Sequence, residues 1–407
     1  MIPRGLAAPL RAALADRPVV VLQGPRQSGK TTLARALAPA GRRYLTLDEA
    51  SLLASARADP AGFLALHPGP VVIDEIQMAP ELLPAIKLSV DRDRTPGRFL
   101  LTGSANALVV PGLARALVGR MEAVTLWPFA QAEIGGHRAN PLDAWLAPRF
   151  TPGSGRPADR THLAGRMAAG GYPEAVQFAP SRRAGWHESY VGTILKRDVR
   201  ELADIEGLTL LPRLLGVVAA RATGLLNFAD LSRTAGIPQS TLKRYLALLE
   251  ATFLVQMLPA WARSSATRLI RAPKVVMGDT GLMCHLVAAS ERRLLDDPVL
   301  FGQVLENFVG LEVRKLAGWA RLRPRLYHYR DAGGREADLV LETPDGSAVG
   351  IEVKGEARVD ARDFGGLKAF AAAAGPRFLR GLLFYTGSER AAFGPGFVAL
   401  PVSDLWT

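Results

Sequence analysis

Two rhythms of apolar and polar residues alternate along this chain. Around Leu6–Leu14 the apolar positions recur at helical spacing and predict an amphipathic helix. Val19–Leu22 is an unbroken, largely β-branched run of the kind that fills a strand buried on both faces. Arg43–Leu47, Pro70–Ile73 and Phe99–Leu101 repeat that signature, with helical stretches between them. Residues 1–135 therefore predict an α/β unit with a parallel sheet. Gly135–Gly165 is rich in Pro, Gly and Arg and predicts a loop or mobile connection, after which helical spacing resumes from Arg166 to Leu226. Ala229–Glu250 predicts helix, tight turn, helix. Leu231, Ile237, Leu242, Leu246 and Leu249 fall on its inner face, and Gln239, Ser240, Lys243 and Arg244 on the outer front of the second helix. The ATFLVQMLPAW that follows is placed to form a wing. Arg335–Glu342 and Val349–Lys354 alternate with period two about the turn residues Pro344–Ser347, which predicts a hairpin. A helix around Lys368–Phe370 and an apolar strand, Gly381–Tyr385, complete the pattern.

Composition adjusts this picture in a few places. A chain of 407 residues exceeds what one core serves and suggests several domains. The formal charge of +12 points to an anionic partner, nucleic acid first. That inference loses weight because only eight of the fifty basic residues are lysines, the arginine-rich balance running through the whole chain. The same bias makes Lys30 and Lys354 stand out as positions wanting a compact ammonium. One cysteine, Cys284, excludes an internal disulfide and a cysteine zinc cluster, and a small buried hydrophobe is its simplest role. No apolar run reaches the ~18 residues of a membrane span, and the start is too short and interrupted for a secretory signal, so a cytoplasmic protein without a membrane partner is expected.

The chemistry concentrates where the first strand ends. Gly24-Pro25-Arg26-Gln27-Ser28-Gly29-Lys30-Thr31-Thr32 has the spacing of a phosphate-binding loop. Its glycines let amides turn inward around a β-phosphate, Lys30 reaches the β/γ oxygens, and Thr31 offers a hydroxyl to Mg²⁺. A helix starting there adds its dipole. The strand Pro70–Ile73 delivers Asp74 for the Mg²⁺ shell and Glu75 to orient or deprotonate an attacking water. Thr102 and Ser104, after the next strand, reach the same carboxyl edge, where a small hydroxyl senses the γ-phosphate.

A second constellation lies near the C-terminus. Period two puts Glu352 and Lys354 on one face, and the antiparallel return brings Asp338 beside them. Two carboxylates can hold a divalent cation that polarises a phosphodiester, with the lysine positioning water and Glu306 adding a further carboxylate from an upstream helix.

These residues resemble a known family, prokaryotic AAA-type ATPases with GPRQ-x-GKTT at the P-loop, DEIQ at Walker B and LTGS after it. Here those are Gly24–Thr32, Asp74–Gln77 and Leu101–Ser104. Such proteins carry a C-terminal domain that looks like the PD-(D/E)xK nuclease fold, with LENF at Leu305–Phe308, READ at Arg335–Asp338 and IEVKG at Ile351–Gly355 as its marks. GGYPEAV near Gly170 and KVVMGDTGL near Lys274 also look like the family. The resemblance implies four parts: an ATPase core (1–135), a loop and helical lid (136–205), a winged-helix-like region (206–290) and a restriction-endonuclease-like domain (291–407). It implies ATP and Mg²⁺ as cofactors, a second divalent metal at Glu306, Asp338 and Glu352, and DNA as partner. It also implies a homo-oligomer finished in trans by an arginine, Arg120 with Arg115 as rival. The alternative is an ATP-switched, toxin-antitoxin-like regulator that binds DNA or protein and whose nuclease fold is catalytically silent.

Overall fold

In a computed structural model, residues 2–37, 42–104, 117, 119–150, 158–202, 208–264, 267–268 and 271–406 are described. The first four strands form where the apolar runs predict: β1 (Val19–Gln23), β2 (Arg43–Thr46), β3 (Val71–Asp74) and β4 (Phe99–Gly103). A fifth, β5 (Met121–Thr125), closes one edge, and all five run parallel in the order β2-β3-β4-β1-β5. β5 carries little apolar signal because it is an edge strand with only Val124 buried.

Strand alternation gives the sheet two apolar faces. Val20 and Leu22 meet Leu10 and Leu14 of the opening helix Ala7–Asp16 and Leu33 of the helix Lys30–Leu37. Val19 and Val21 meet Leu83, Ile86 and Val90 of the helix Leu82–Arg92 on the other side. Because β4 lies between β1 and β3, the ends of all three strands open side by side at the carboxyl edge, the usual crevice of an open α/β sheet.

Much of the rest of the chain shares one apolar core, running from Leu142 and Trp145 through Leu214, Leu242 and Phe301 to Leu400 and Trp406. Its axis is the helix Pro298–Ala317, capped by the Asp297 carboxylate on the amides of Val299 and Leu300 and started by proline at the first position. Of the segment 135–165 expected as a loop, 151–157 lie outside the described residues, and the part before them is anchored to this core. Pro141–Trp145 is a helix with Leu142 fully buried and Trp145 only 3% exposed, and Asn140 Nδ2 donates to Leu316 O at 2.8 Å.

The helix pair forms as its spacing dictates, Phe228–Ala235 and Gln239–Ala251, joined through Gly236 in the left-handed region. All five inner-face residues are buried, and Gln239, Ser240, Lys243 and Arg244 are exposed. β6 (Val255–Leu258) pairs antiparallel with β7 (Lys274–Met277), and Leu225 bridges to Lys274. The segment placed to form a wing supplies β6 and then docks at Trp261. Trp261 is 1% exposed, and its amide donates to His328 O at 2.6 Å.

The C-terminal sheet contains β8 (Arg325–Arg330), β9 (Glu336–Glu342), β10 (Ala348–Lys354), β11 (Phe378–Tyr385), β12 (Ala391–Ala392) and β13 (Phe397–Pro401), in the order β12-β13-β11-β10-β9-β8. β8, β9 and β10 are antiparallel neighbours, and β10, β11 and β13 are parallel. Leu339, Ile351 and Phe384 face the long helix, while Val340, Ala348 and Leu383 face Leu367 and Phe370 of the helix Gly365–Ala374. The hairpin register sets Ile351 opposite Leu339.

Candidate functional site

The loop after β1 has the backbone that its glycines permit. Gly24 takes φ 149°, and a Cβ there would lie 2.2 Å from Leu126 O, so neither conformation nor space admits a side chain. Gln27 and Gly29 also have positive φ, at 60° and 95°. Arg4 supports the loop from outside, its Nη1 donating to Ser28 O at 2.8 Å while its Nε pairs with Glu133 at 3.1 Å. The Lys30 ammonium is buried and turned onto the loop itself, donating to Gly24 O at 3.0 Å and Pro25 O at 2.9 Å. Burial, opposed by Glu75 and Asp74, pulls its pKa down to about 8. A cavity of about 1080 Å³ adjoins the loop, with Gly29, Thr32 and Leu33 on one wall and Ala8, His137 and Pro173 on others.

Asp74, at the end of β3, is 3% exposed. Its Oδ1 accepts from the Thr102 hydroxyl, and its Oδ2 accepts from the Tyr44 hydroxyl and, at 3.0 Å, from Thr31 Oγ1. Burial first, then the Asp74 contact, pushes the Tyr44 phenol up to about 12. Thr31 and Asp74 thus present an all-oxygen pair of the kind a hard divalent ion takes. Glu75 sits in the left-handed region at φ 59°, and its amide donates to Thr102 Oγ1 at 3.3 Å. Gln77 Nε2 binds the Glu75 carboxylate and reaches Ser104 Oγ at 3.2 Å. Burial raises the Glu75 pKa above the ordinary carboxylate value.

Two arginines have partners that the motif does not foretell. Arg26 makes a bidentate pair with Asp198, Nε to Oδ2 at 3.0 Å and Nη2 to Oδ1 at 2.9 Å. Asp198 ends a wide π turn, Ile194–Asp198, and Tyr190, one turn earlier, donates to Arg26 O at 3.2 Å. Arg120 is clamped to Asp91 of its own chain at 2.6 Å. Arg115 lies outside the described residues.

The C-terminal constellation converges, with one addition. Asp338 Oδ2 accepts from the Val353 amide at 2.9 Å, and Glu352 Oε1 pairs with Lys354 Nζ at 3.0 Å. Lys274 of β7 enters among the acids, 2.8 Å from Glu306 Oε1 and 3.2 Å from Asp338 Oδ1. Burial and the mutual repulsion with Asp338 push both Glu306 and Glu352 up to about 8. The expected metal ligands Glu306, Asp338 and Glu352 are therefore engaged by lysines and a backbone amide. Among the described residues, no group of three or more His, Cys, Asp or Glu side chains is arranged to hold a metal ion.

Known families match three stretches: an AAA domain over residues 16–135, and two domains of unknown function, DUF8612 over 160–293 and DUF4143 over 301–405. The uncharacterized protein Rv2008c of Mycobacterium tuberculosis is 32% identical over 352 residues, which cover 86% of this chain and 73% of that protein. The chain belongs to this AAA-domain family. Its Mycobacterium bovis member, the uncharacterized protein Mb2031c, matches with the same figures. Among solved structures, the Walker-type ATPase PABY2304 of Pyrococcus abyssi aligns with 70% of this chain and 96% of its own at 14% identity and a TM-score of 0.45.

An AAA domain with this P-loop makes the family member an ATPase that takes ATP with a divalent metal ion. No helix among the described residues is long and apolar enough to cross a membrane. Four residues at the AAA-domain protein's two clusters have contacts that motif reading does not assign: Tyr44, Gln77, Asp198 and Lys274. Gln77 lies in DEIQ and Lys274 in KVVMGDTGL without either role being apparent there, and nothing in the spacing marks Tyr44 or Asp198.

Proposed function

We propose that this AAA-domain ATPase is a Mg²⁺-dependent switch acting on DNA, in which Lys30 and Thr31 hold the phosphates and metal and Glu75 orients the attacking water. The convergence of Thr31, Asp74, Glu75 and Thr102 on one sheet edge carries this reading. Bound Mg²⁺ supplies charge neutralisation at the β- and γ-phosphates. Thr31 and Asp74 are its holders, Thr102 and Ser104 stand at the sensor position, and the cavity beside Thr32 takes the nucleoside.

Communication with the rest of the chain runs through buried polar contacts. Glu312 of the long helix is fully buried and accepts from the Gln131 amide at 2.6 Å, while Lys315 donates to Phe129 O at 2.9 Å. Arg26 and Asp198 form a second link, between the P-loop and the helical region. We infer that Arg26 divides its charge between Asp198 and an incoming phosphate. Asp198→Asn should then tighten ATP binding by roughly fivefold to tenfold, within the usual range of site coupling. Isothermal titration with equal affinities for the variant and the parent would make the pair purely structural.

DNA is the favoured partner because the chain is strongly basic and the second helix of the winged-helix-like region presents Gln239, Ser240, Lys243 and Arg244 outward. Fluorescence anisotropy with duplex DNA across a salt series tests this. Affinity should fall steeply with salt, and Lys243→Ala should flatten the log–log slope by about one unit. A slope near zero removes DNA from the proposal.

For the nuclease-like C-terminal domain, Lys274 among the acids favours the silent, switch-type reading over cleavage. Assembly into a homo-oligomer completes the proposal, with Arg120 exchanging Asp91 for the phosphate of a neighbouring subunit.

A further inference from the structure

The C-terminal acids carry a cation of their own, delivered from another part of the fold. Lys274 belongs to β7, whereas Glu306 lies on the long helix, Asp338 on β9 and Glu352 on β10. Lys274 is 3% exposed and divides its donors between Glu306 and Asp338. An ammonium is a compact point charge that donates and never accepts. It stands between the carboxylates that a divalent ion would bridge.

Glu352 marks what this arrangement leaves undone. The residue is 7% exposed, Oε1 is taken by Lys354, and Oε2 is buried without a hydrogen-bond partner. A buried carboxylate oxygen left unpaired is costly, and a cluster built only for stability would satisfy it or replace it with apolar packing. Three carboxylates against two ammoniums also leave one negative charge when all are ionised. Exchanging the Lys274 ammonium for a divalent ion would cancel that charge.

We propose that Lys274 is a resident cation occupying the metal position among Glu306, Asp338 and Glu352, so that the intact chain binds no divalent ion there and withdrawal of the ammonium opens a divalent-cation site. The acids and the ammonium ride on different elements. The disagreement between a nuclease-like fold and a lysine-filled acid cluster is thereby explained as an interlock. It concerns this cluster alone and stands whether or not ATP is hydrolysed.

Mn²⁺ titration of the full-length, nucleotide-free protein, followed by the electron paramagnetic resonance of free Mn²⁺, tests the assignment. Lys274→Gln should gain one site at least tenfold tighter than any binding by the parent, and Lys274→Gln with Glu352→Gln should lose it. No gain in Lys274→Gln would overturn the proposal, as would parental Mn²⁺ binding that disappears in Glu352→Gln. If Lys274→Gln does not fold, the parent protein answers through Fe²⁺ and ascorbate, whose hydroxyl radicals cut the backbone beside bound iron. Intact chain at Asp338 and at 351–354 is the result expected, and cutting there refutes the resident-cation assignment.

Discussion

Lys30→Ala is expected to leave a folded protein whose affinity for ATP has dropped by about 100-fold or more, a loss of at least two factors of ten at about 1.4 kcal/mol each. The ammonium is buried on the Gly24 and Pro25 carbonyls, within the loop that would receive the phosphates. Alanine removes the buried ammonium that sits on the loop carbonyls. Isothermal titration with Mg²⁺ present measures the loss, and the thermal unfolding midpoint reports whether the fold is intact. Undiminished binding by a folded variant would show that the loop amides alone capture the phosphates.

The same lysine gives nucleotide binding a distinctive pH dependence. Burial pulls its pKa down to about 8, and contact with phosphate would raise it. Binding therefore takes up a proton above pH 8. Parental affinity should be flat below that value and fall about tenfold per pH unit above it, until the bound-state pKa is reached. Stability of the nucleotide-free fold moves the opposite way. The unfolded lysine keeps its proton to about pH 10.4, the folded one releases it near 8, and the unfolded state binds more protons between them. Rising pH therefore relieves the burial penalty in that window. Residual binding by Lys30→Ala should lack the break at pH 8.

What the amino-acid sequence reveals follows from how local each constraint is. The P-loop is legible because its glycines, its lysine and its threonine act within one turn of chain, and Asp74–Glu75 because a buried strand leads straight to them. The hairpin placing Glu352 beside Asp338 is equally local and forms in the expected register. Lys274 is hidden for the opposite reason. Its partners lie 32 and 64 residues away, and the family-like passage KVVMGDTGL that it opens does not say which acids it meets. Asp198 meets Arg26 across 172 residues from a π turn that no apolar spacing announces. The docked position of Trp261 likewise depends on β8, a strand whose charged ends and central histidine conceal its burial.

Glu75→Gln is expected to bind ATP within about threefold of the parent while kcat falls by roughly 10²–10³-fold, the usual contribution of a positioned acid–base group. Phosphoryl transfer to water needs an oriented nucleophile more than covalent help from the protein. Glu75 is the carboxylate beside the Thr31–Asp74 pair, and two contacts fix it. Its left-handed backbone is pinned by Thr102 Oγ1, and its side chain is held by Gln77, itself tied to Ser104. Glutamine keeps the size and the Gln77 contact but cannot take a proton. A lowered kcat with an unchanged dissociation constant would isolate an interaction made in the transition state. Burial raises the Glu75 pKa, so parental kcat should climb with pH as the carboxyl ionises, and the variant should show no such climb. Gln77→Ala provides the internal control. It frees the carboxylate without removing it, so kcat should fall less than in Glu75→Gln while the pH profile persists. Full activity in Glu75→Gln would move the water-positioning role to another residue at the same sheet edge, with Ser104 and Gln77 next in reach.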